Sequence, residues 1–221
     1  LASEFVARGW SIKALHRLIV TSAAYRQASE FDAAAAKIDA ENQLLWRFTP
    51  HRLEAEALRD AMLAVSGELN YVMGGSSFRP FDTKSFNATF YLLADKVGPQ
   101  FNRRTVYRMN VNSGKDPMLE SFDCPDPSVK TPRRGITTTP LQALSLMNNS
   151  FVLRQTERLA ERVLAENRGN VRAAIRQAYR YCLARSPSAE ELKEAESLAA
   201  RNSLEHVCWA LLNCTEFVYV R

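Results

Sequence analysis

"VRAAIRQAYRYCLA" occupies residues 171–184 and carries the clearest fold signal in the chain. Its apolar and small side chains recur at intervals of three and four residues, at Val171, Ala174, Ile175, Ala178, Tyr179 and Cys182. That spacing places them on one face of an α-helix. A helix with one apolar face needs other elements to cover it, so the stretch predicts a helical bundle.

Helix-start signals lie on both sides of this stretch, and the chain is predicted to be helical from Thr139 to its end. The predicted starts are Thr139 with Pro140, Ser150, Ser188 with Glu191, and Ser203. Serine and threonine cap the first amide groups of a helix, and proline fits its first turn. The Ser188–Glu191 spacing is that of a capping box.

The N-terminal half adds two more helices. Ser11 is predicted to cap a helix that begins at Ile12. A second helix, within residues 51–70, is predicted to end near Gly67, because glycine commonly closes a helix. Its predicted buried stripe consists of Leu53, Ala57, Ala61 and Val65.

Residues 74–135 have a different character, since they are richer in glycine, proline and aromatic residues and lose the helical period. "NATFYLL" (87–93) and "RTVYRMNV" (104–111) are rich in strand-forming residues and predict a short two-stranded β-ribbon. The fold class is therefore mainly α, a single domain over 1–221. It is a multi-helix bundle of about seven or eight helices with an irregular insert at about 74–135.

The composition and charge pattern argue against several classes of function. Lys and Arg number 29 against 24 Asp and Glu, and both signs are mixed along most of the chain. A nucleic-acid binder more often concentrates its basic residues in one stripe, so the pattern argues against that class. No apolar run is long enough to predict a membrane span. The four cysteines form no C-x-x-C pair, and the three histidines are isolated, so no metal site is predicted.

The chemistry-bearing residues cluster around one proline-bounded stretch. Asp123 and Asp126 lie beside prolines, and Arg133 and Arg134 follow. Two carboxylates in a turn can act as acid and base, and two arginines can hold an anion by paired hydrogen bonds. The alternative is structural: the aspartates cap turns, the arginines pair with them, and a threonine caps the next helix.

Four further residues are candidates for binding a ligand or partner. Thr138 and Gln142 lie at the start of the helix that follows the proline-bounded stretch. Gln142, together with Asn149 just after that helix, is predicted to line a polar pocket or to tie the loop to the bundle. Arg104 and Arg108 lie in the second predicted strand, and Arg103 directly precedes it. With Arg133 and Arg134 they predict a basic surface for an acidic glycan or a partner domain.

Several stretches together resemble one protein family. They are "LASEFVARGWSIKALHRLIVTSAAYRQ" (1–27), "PDPSVKTPRRGITTTPLQALSLMNNSFV" (125–152) and "WALLNCTEFVYV" (209–220). All three resemble the DUF1553 domain, also called PSD1, of large planctomycete proteins. The resemblance implies upstream companions in the same polypeptide: a DUF1549-like domain and a cytochrome-c-like haem domain. Many such proteins look exported.

The expected function is a non-catalytic interaction module in a large, extracytoplasmic, haem-linked protein. The expected partners are the companion domains or an extracellular glycan, and the chain is read as a fragment of that protein. The C-x-x-C-H haem motif does not occur in this segment, so no cofactor is expected in it and haem would belong to the upstream part. The alternative is an enzyme, hydrolytic or acting on polysaccharide, with an Asp/Arg pocket around 123–142.

Overall fold

A computed structural model of the chain describes residues 1–111 and 114–221. The chain divides into two compact units, residues 1–51 with 219–221, and residues 52–218. The expectation of a single domain over 1–221 stays a prediction. The predicted insert at 74–135 includes residues 112 and 113, which lie outside the described residues.

The fold is mainly helical, as predicted, with seven substantial helices and two small two-stranded antiparallel sheets. The helices are α1 Ala2–Ala7, α2 Ile12–Val20, α3 Ala33–Ile38, α4 Ala55–Ser66, α5 Pro117–Ser121, α6 Pro140–Asn148, α7 Ser150–Glu166, α8 Val171–Leu183, α9 Ala189–Arg201, α10 Leu204–Asn213 and α11 Thr215–Val218. The strands are β1 His51–Arg52, β2 Phe81–Ser85, β3 Thr89–Leu93 and β4 Tyr219–Val220. One turn of 3-10 helix spans Thr105–Tyr107.

Short helices and side-chain caps build the first unit. Ser11 caps α2 by accepting a hydrogen bond from the Ala14 amide at 3.2 Å, as the sequence predicted. Asp32 caps α3 in the same manner. None of residues 1–51 is fully buried, so local caps rather than a deep core define this unit.

The second unit contains the core, which α7, α8 and α10 share with α4. The fully buried side chains include Leu159 on α7, Ile175 on α8 and Leu212 on α10. The face predicted for α8 is confirmed in its centre, where Ala174 and Ile175 are completely buried. Long apolar side chains meet here at helical spacing, so this bundle provides most of the hydrophobic stabilisation.

Two predicted details of the helices are wrong. The buried side of α4 consists of Ala55, Leu58, Arg59, Met62, Leu63 and Ser66. The predicted stripe of Leu53, Ala57, Ala61 and Val65 is only partly covered. The inward face includes Arg59, and apolar spacing alone could not place an arginine there. Asn149, not Ser150, caps α7, and its Oδ1 accepts from the Phe151 amide at 2.9 Å.

The predicted ribbon exists, but only one of its strands was placed correctly. Strand β3 falls within the predicted segment 87–93 and pairs with β2, with Phe81 opposite Leu93 and Ser85 opposite Thr89. The other predicted strand, 104–111, instead contains the 3-10 turn and a single bridge between Phe78 and Arg108. Residues 81–93 are contiguous, so the ribbon forms as a local hairpin.

Buried arginines attach the irregular segment to the bundle. Arg59 on α4 donates hydrogen bonds to the carbonyls of Phe101 at 2.7 Å and Arg103 at 3.1 Å, and to Thr105 Oγ1 at 3.1 Å. Arg103 in turn donates to the carbonyls of Val72, Gly74 and Ser76. Segments without regular structure leave carbonyls unpaired, and these guanidinium groups supply the missing donors.

The end of α4 is closed by a side chain from α7. Gly67 has a φ of +83°, a left-handed conformation that favours glycine. Arg162 on α7 donates to the carbonyls of Ala64 at 3.1 Å and Val65 at 2.9 Å. A Cβ atom at Gly67 would lie 3.1 Å from Arg162 Cδ, so the glycine also makes room for this cap.

Arg59→Met is expected to lower the free energy of unfolding by about 2–4 kcal/mol, because it leaves two buried carbonyl groups without a donor. Urea unfolding monitored by circular dichroism measures the difference. Arg172→Met is the control, since Arg172 is 61% exposed and forms a surface ion pair with Glu196; it is expected to cost less than about 1 kcal/mol. Equal effects of the two substitutions would contradict the role assigned to Arg59.

A second prediction concerns the start of α9. Arg185 donates to Glu191 at 2.7 and 2.8 Å and to Glu216 at 2.8 Å. The hydrogen bonds from Arg185 lower the pKa of Glu191 from its ordinary value of 4.5 to about 2. A lowered folded-state pKa stabilises the protein above the unfolded value and loses that contribution as the pH falls.

Stability is therefore expected to fall between pH 4.5 and about pH 2, and Glu191→Gln should flatten this part of the curve. Urea unfolding at a series of pH values measures the slope. In the background of Arg185→Met, the further substitution of Glu191 should change the slope much less. A wild-type slope that persists in Glu191→Gln would show that other carboxyl groups cause the loss.

Candidate functional site

A cleft of about 480 Å³ lies beside the β2–β3 ribbon in the second unit. Its wall is formed by the end of the ribbon and residues 93–98, by Phe101 and Asn102, and by the first turns of α5 and α7. Arg59, Glu68, Phe78, Pro80 and Arg108 also line it, and on α7 the wall extends to Glu157 and Arg158. We call it the ribbon cleft; its volume is within the range of small-molecule sites.

The wall combines aromatic rings with amides and charges. Phe78 and Phe101 pack edge to face with their centroids 6.4 Å apart, and Arg59 lies 5.1 Å from the ring centroid of Phe151. Asn102, Asn149 and Gln155 contribute side-chain amides. Such a surface can pack against an apolar face of a ligand and also hydrogen-bond its polar groups.

Arg108 is a second buried cation of this wall, beside Arg59. Its side chain is only 7% exposed, and Nη2 lies 3.6 Å from Asp116 Oδ2. The guanidinium lies over the Phe81 ring, 5.2 Å from its centroid. Gly114 gives this ring its space, since a Cβ atom there would come within 2.5 Å of Phe81 Cε1. Burial lowers the pKa of Arg108.

Asp95 fixes the rim of the ribbon cleft to the start of α7. It accepts hydrogen bonds from Arg154 at 2.6 and 2.7 Å and from Ser150 Oγ at 2.7 Å. The Arg154 hydrogen bonds lower the pKa of Asp95, and Ser150 adds to the effect. A carboxylate at the amino end of a helix also interacts favourably with the helix dipole. The loop that follows β3 is therefore fastened to α7.

The carboxylate of Asp123 makes structural contacts within the protein. Its backbone has a φ of +63°, a conformation that aspartate tolerates better than most residues. Its carboxylate accepts from Arg52, and from the Thr137 amide at 2.8 Å and the Thr137 Oγ1 at 2.9 Å. Arg52 is 3% exposed, donates to the Phe122 carbonyl and lies over the Phe122 ring. Asp123 thus neutralises a buried arginine and holds the loop before α6.

Asp126 and the two adjacent arginines have other partners. Asp126 accepts from Ser128 and pairs with Lys115 at 2.9 Å; the Ser128 hydrogen bond, with Lys115, lowers its pKa. Arg134 pairs with Glu56 at 2.7 Å and with Glu54 at 3.2 Å. The interpretation that Arg133 and Arg134 pair with the aspartates is therefore wrong for Arg134, which pairs with two glutamates at the start of α4 instead. Arg133 is exposed.

The remaining candidates occupy different places. Gln142 is buried and donates to the Thr137 carbonyl at 3.1 Å, while its Oε1 accepts from the Thr139 amide at 3.3 Å. Thr138 is exposed beside it. Arg104 is 58% exposed and lies 3.6 Å from Asp60. Of the eight candidate residues, only Arg108 lines the ribbon cleft.

Sequence reasoning missed several residues that shape the site. Arg59 occupies a helix with otherwise ordinary charge spacing, and Asp95 lies in a loop without a motif. The available signal was the density of phenylalanines and prolines in 78–101, which is unusual for a solvated linker. That density indicates a packed segment, but it does not tell which charged residues from distant helices will reach it.

Cysteine and metal chemistry is not evident in the described residues. All four cysteines are free thiols. Burial, followed by the Glu56 carboxylate, raises the pKa of Cys124 to about 11. In residues 1–111 and 114–221, no cluster of three or more His, Cys, Asp or Glu side chains could hold a metal ion. None of the described helices is long and apolar enough to cross a membrane.

Comparison with known families gives one match. The model of PSD1, described as a protein of unknown function (DUF1553), matches residues 1–199. The chain belongs to the PSD1 family. No curated protein and no solved structure matches it. The family match covers the proline-bounded stretch and the whole ribbon cleft, while the resembling stretch at 209–220 lies beyond it.

In this PSD1 domain, Asp123→Asn is expected to lower the free energy of unfolding by about 2 kcal/mol, because it removes the countercharge of buried Arg52 while keeping the shape of the side chain. Chemical denaturation measures the loss. Asp126→Asn is the matched control and is expected to have a much smaller effect, since its partners are exposed. If Asp123→Asn left stability unchanged, Asp123 would be free for a chemical role.

Proposed function

We propose that this PSD1 domain is a non-catalytic binding module that holds an extracellular saccharide in the ribbon cleft. The observation that carries the proposal is the composition of the wall. Three phenylalanine rings alternate there with amide, carboxylate and guanidinium groups around one open cavity of about 480 Å³. A cavity of this size accommodates one or two sugar rings.

Saccharides match both chemical features of this wall. One face of a sugar ring presents mainly C–H groups, which pack against aromatic rings such as Phe101 and Phe151. Its hydroxyl groups each donate and accept, so they pair equally well with the amides of Asn102 and Gln155 and with carboxylates. A purely apolar ligand would leave these polar groups without partners.

The carboxyl groups support binding rather than acid–base catalysis. A general acid that works at neutral pH needs a raised pKa. Each carboxyl group of the described residues whose pKa departs from its ordinary value is shifted downward, through an arginine or hydroxyl neighbour in most cases. Asp95, at the rim of the ribbon cleft, is one of them. Held ionised, these groups can accept hydrogen bonds from a ligand.

The resemblance to the PSD1 family also implies companion domains and a cellular location for this domain. The companion DUF1549-like and cytochrome-c-like domains, a haem in the upstream part and an extracytoplasmic location are predictions. Docking of this domain on the DUF1549-like region is a further prediction, which a pull-down between the two purified parts would check. The hydrolytic alternative around 123–142 loses support from the structural contacts of Asp123 and Gln142.

Affinity electrophoresis tests saccharide binding directly. Gels that contain dextran, xylan, highly methyl-esterified pectin or polygalacturonate are compared with a gel that contains none. At least one polymer should retard the protein. Val97→Trp should abolish the retardation, because Val97 is 66% exposed and lines the ribbon cleft, so the larger side chain obstructs the cavity without disturbing the core.

Val106→Trp is the matched control, since Val106 is 72% exposed and lies outside the wall. It should migrate as the wild type does. The proposal is contradicted if no polymer retards the protein, or if Val97→Trp is retarded as strongly as the wild type.

A further inference from the structure

We infer that Arg108 is an anion-binding residue of the ribbon cleft and takes a carboxylate group of the bound saccharide. The inference rests on the proposed function and adds the ligand class to it, an acidic rather than a neutral sugar. It begins from a nearly buried guanidinium group in the wall whose Nη2 atom has no hydrogen-bond acceptor among the described residues.

Arg108 differs from the other buried arginines in how its donors are used. Arg59 donates to two carbonyls and a hydroxyl, and Arg103 donates to three carbonyls. Arg52 donates through both Nη atoms, although its Nε is buried without a hydrogen-bond partner. The Nη2 atom of Arg108 is likewise buried without a partner among the described residues, and no other side-chain donor of Arg108 bonds to one of them. A buried donor without an acceptor costs free energy comparable to a lost hydrogen bond.

The carboxylate of Asp116 does not supply the missing hydrogen-bond acceptor for Arg108. Asp116 Oδ2 lies 3.6 Å from Arg108 Nη2, beyond hydrogen-bond distance. The other oxygen, Oδ1, caps α5 by accepting from the amides of Met118 at 3.0 Å and Leu119 at 3.3 Å. The cap fixes the carboxylate, so it cannot move closer to Arg108 without releasing the start of the helix.

Two buried guanidinium groups lie near each other at this end of the cleft. Arg59 and Arg108 are close enough to repel each other, and the same Asp116 attracts both. Burial, opposed mainly by Asp60 and Asp116, lowers the pKa of Arg59 to about 10, so it remains charged at neutral pH. Each guanidinium group has one carboxylate at ion-pair distance, Asp60 for Arg59 and Asp116 for Arg108, but Nη2 of Arg108 still lacks a hydrogen-bond acceptor among the described residues.

The geometry around Arg108 favours a carboxylate as the bound anion. Arg108 lines both the ribbon cleft and a smaller pocket of about 50 Å³, and Asp116 lies in the wall of both. The planar guanidinium fork matches the two oxygens of a carboxylate and forms paired hydrogen bonds with it. The rest of the ligand would then extend along the phenylalanine rings of the ribbon cleft.

Isothermal titration with two probes tests the inference. Tetragalacturonic acid and its methyl ester have the same rings and differ in charge. The wild-type chain should bind the acid at least tenfold more tightly than the ester. Arg108→Met should lose that preference, and Arg108→Lys should keep only part of it, because lysine preserves the charge without the fork.

Arg104→Met is the control, since this exposed arginine lies outside the wall; it should retain the wild-type preference. Urea unfolding of Arg108→Met supplies a second measurement. Methionine can keep the packing on the Phe81 ring, so the variant should still unfold in one cooperative transition, and a lost acid preference can then be assigned to the missing guanidinium group rather than to misfolding.

The outcomes separate the two proposals. If the wild type binds acid and ester equally, or binds only xylan or dextran, the role of Arg108 is wrong and saccharide binding stands. If Arg108→Met keeps the acid preference, the role of Arg108 is likewise wrong. If the wild type binds neither probe and no polysaccharide retards it, both proposals are wrong.

Discussion

The hydrogen bonds from Arg59 to the Phe101 and Arg103 carbonyls and to Thr105 are the contacts on which the site depends. Residues 94–109 contain one helical turn and no strand, so regular structure satisfies few of their polar groups. A guanidinium group on α4 does so instead, and Asp60 adds an acceptor for the Thr105 amide at 2.7 Å. Because these donors and acceptors belong to a rigid helix, the irregular segment takes one shape against it.

That shape in turn creates the ribbon cleft. The ribbon is fastened at its end by Lys96, which donates to the Phe81 carbonyl at 2.7 Å, and the following loop is fastened to α7 by Asp95 and Arg154. The cavity between them is preformed, which lowers the entropic cost of binding a ligand. Arg108 is the exception among the buried arginines, since it donates to no described residue.

The sequence predicted the helical architecture well and the site poorly, for a physical reason. Helix faces and caps are local, so α8 and the Ser11 and Ser188 caps followed from spacing alone. The contacts of Arg59 and Arg52 join residues more than forty positions apart, and no local pattern encodes them. Asp123 and Gln142 were predicted as candidates for binding a ligand or partner, with structural contacts as the alternative, and both make structural hydrogen bonds.

Hydrogen exchange of the unliganded protein tests the central claim most directly. The amides of Asn70, Phe78 and Met109 donate to the carbonyls of Asn102, Tyr107 and Phe78 at 2.9–3.0 Å. If buried arginines hold this segment in one shape, these amides and that of Thr105 should exchange at least about a hundredfold more slowly than in an unstructured peptide. Exchange at unstructured rates, with α7 and α8 still protected, would show that the segment is not held and that the ribbon cleft is not preformed.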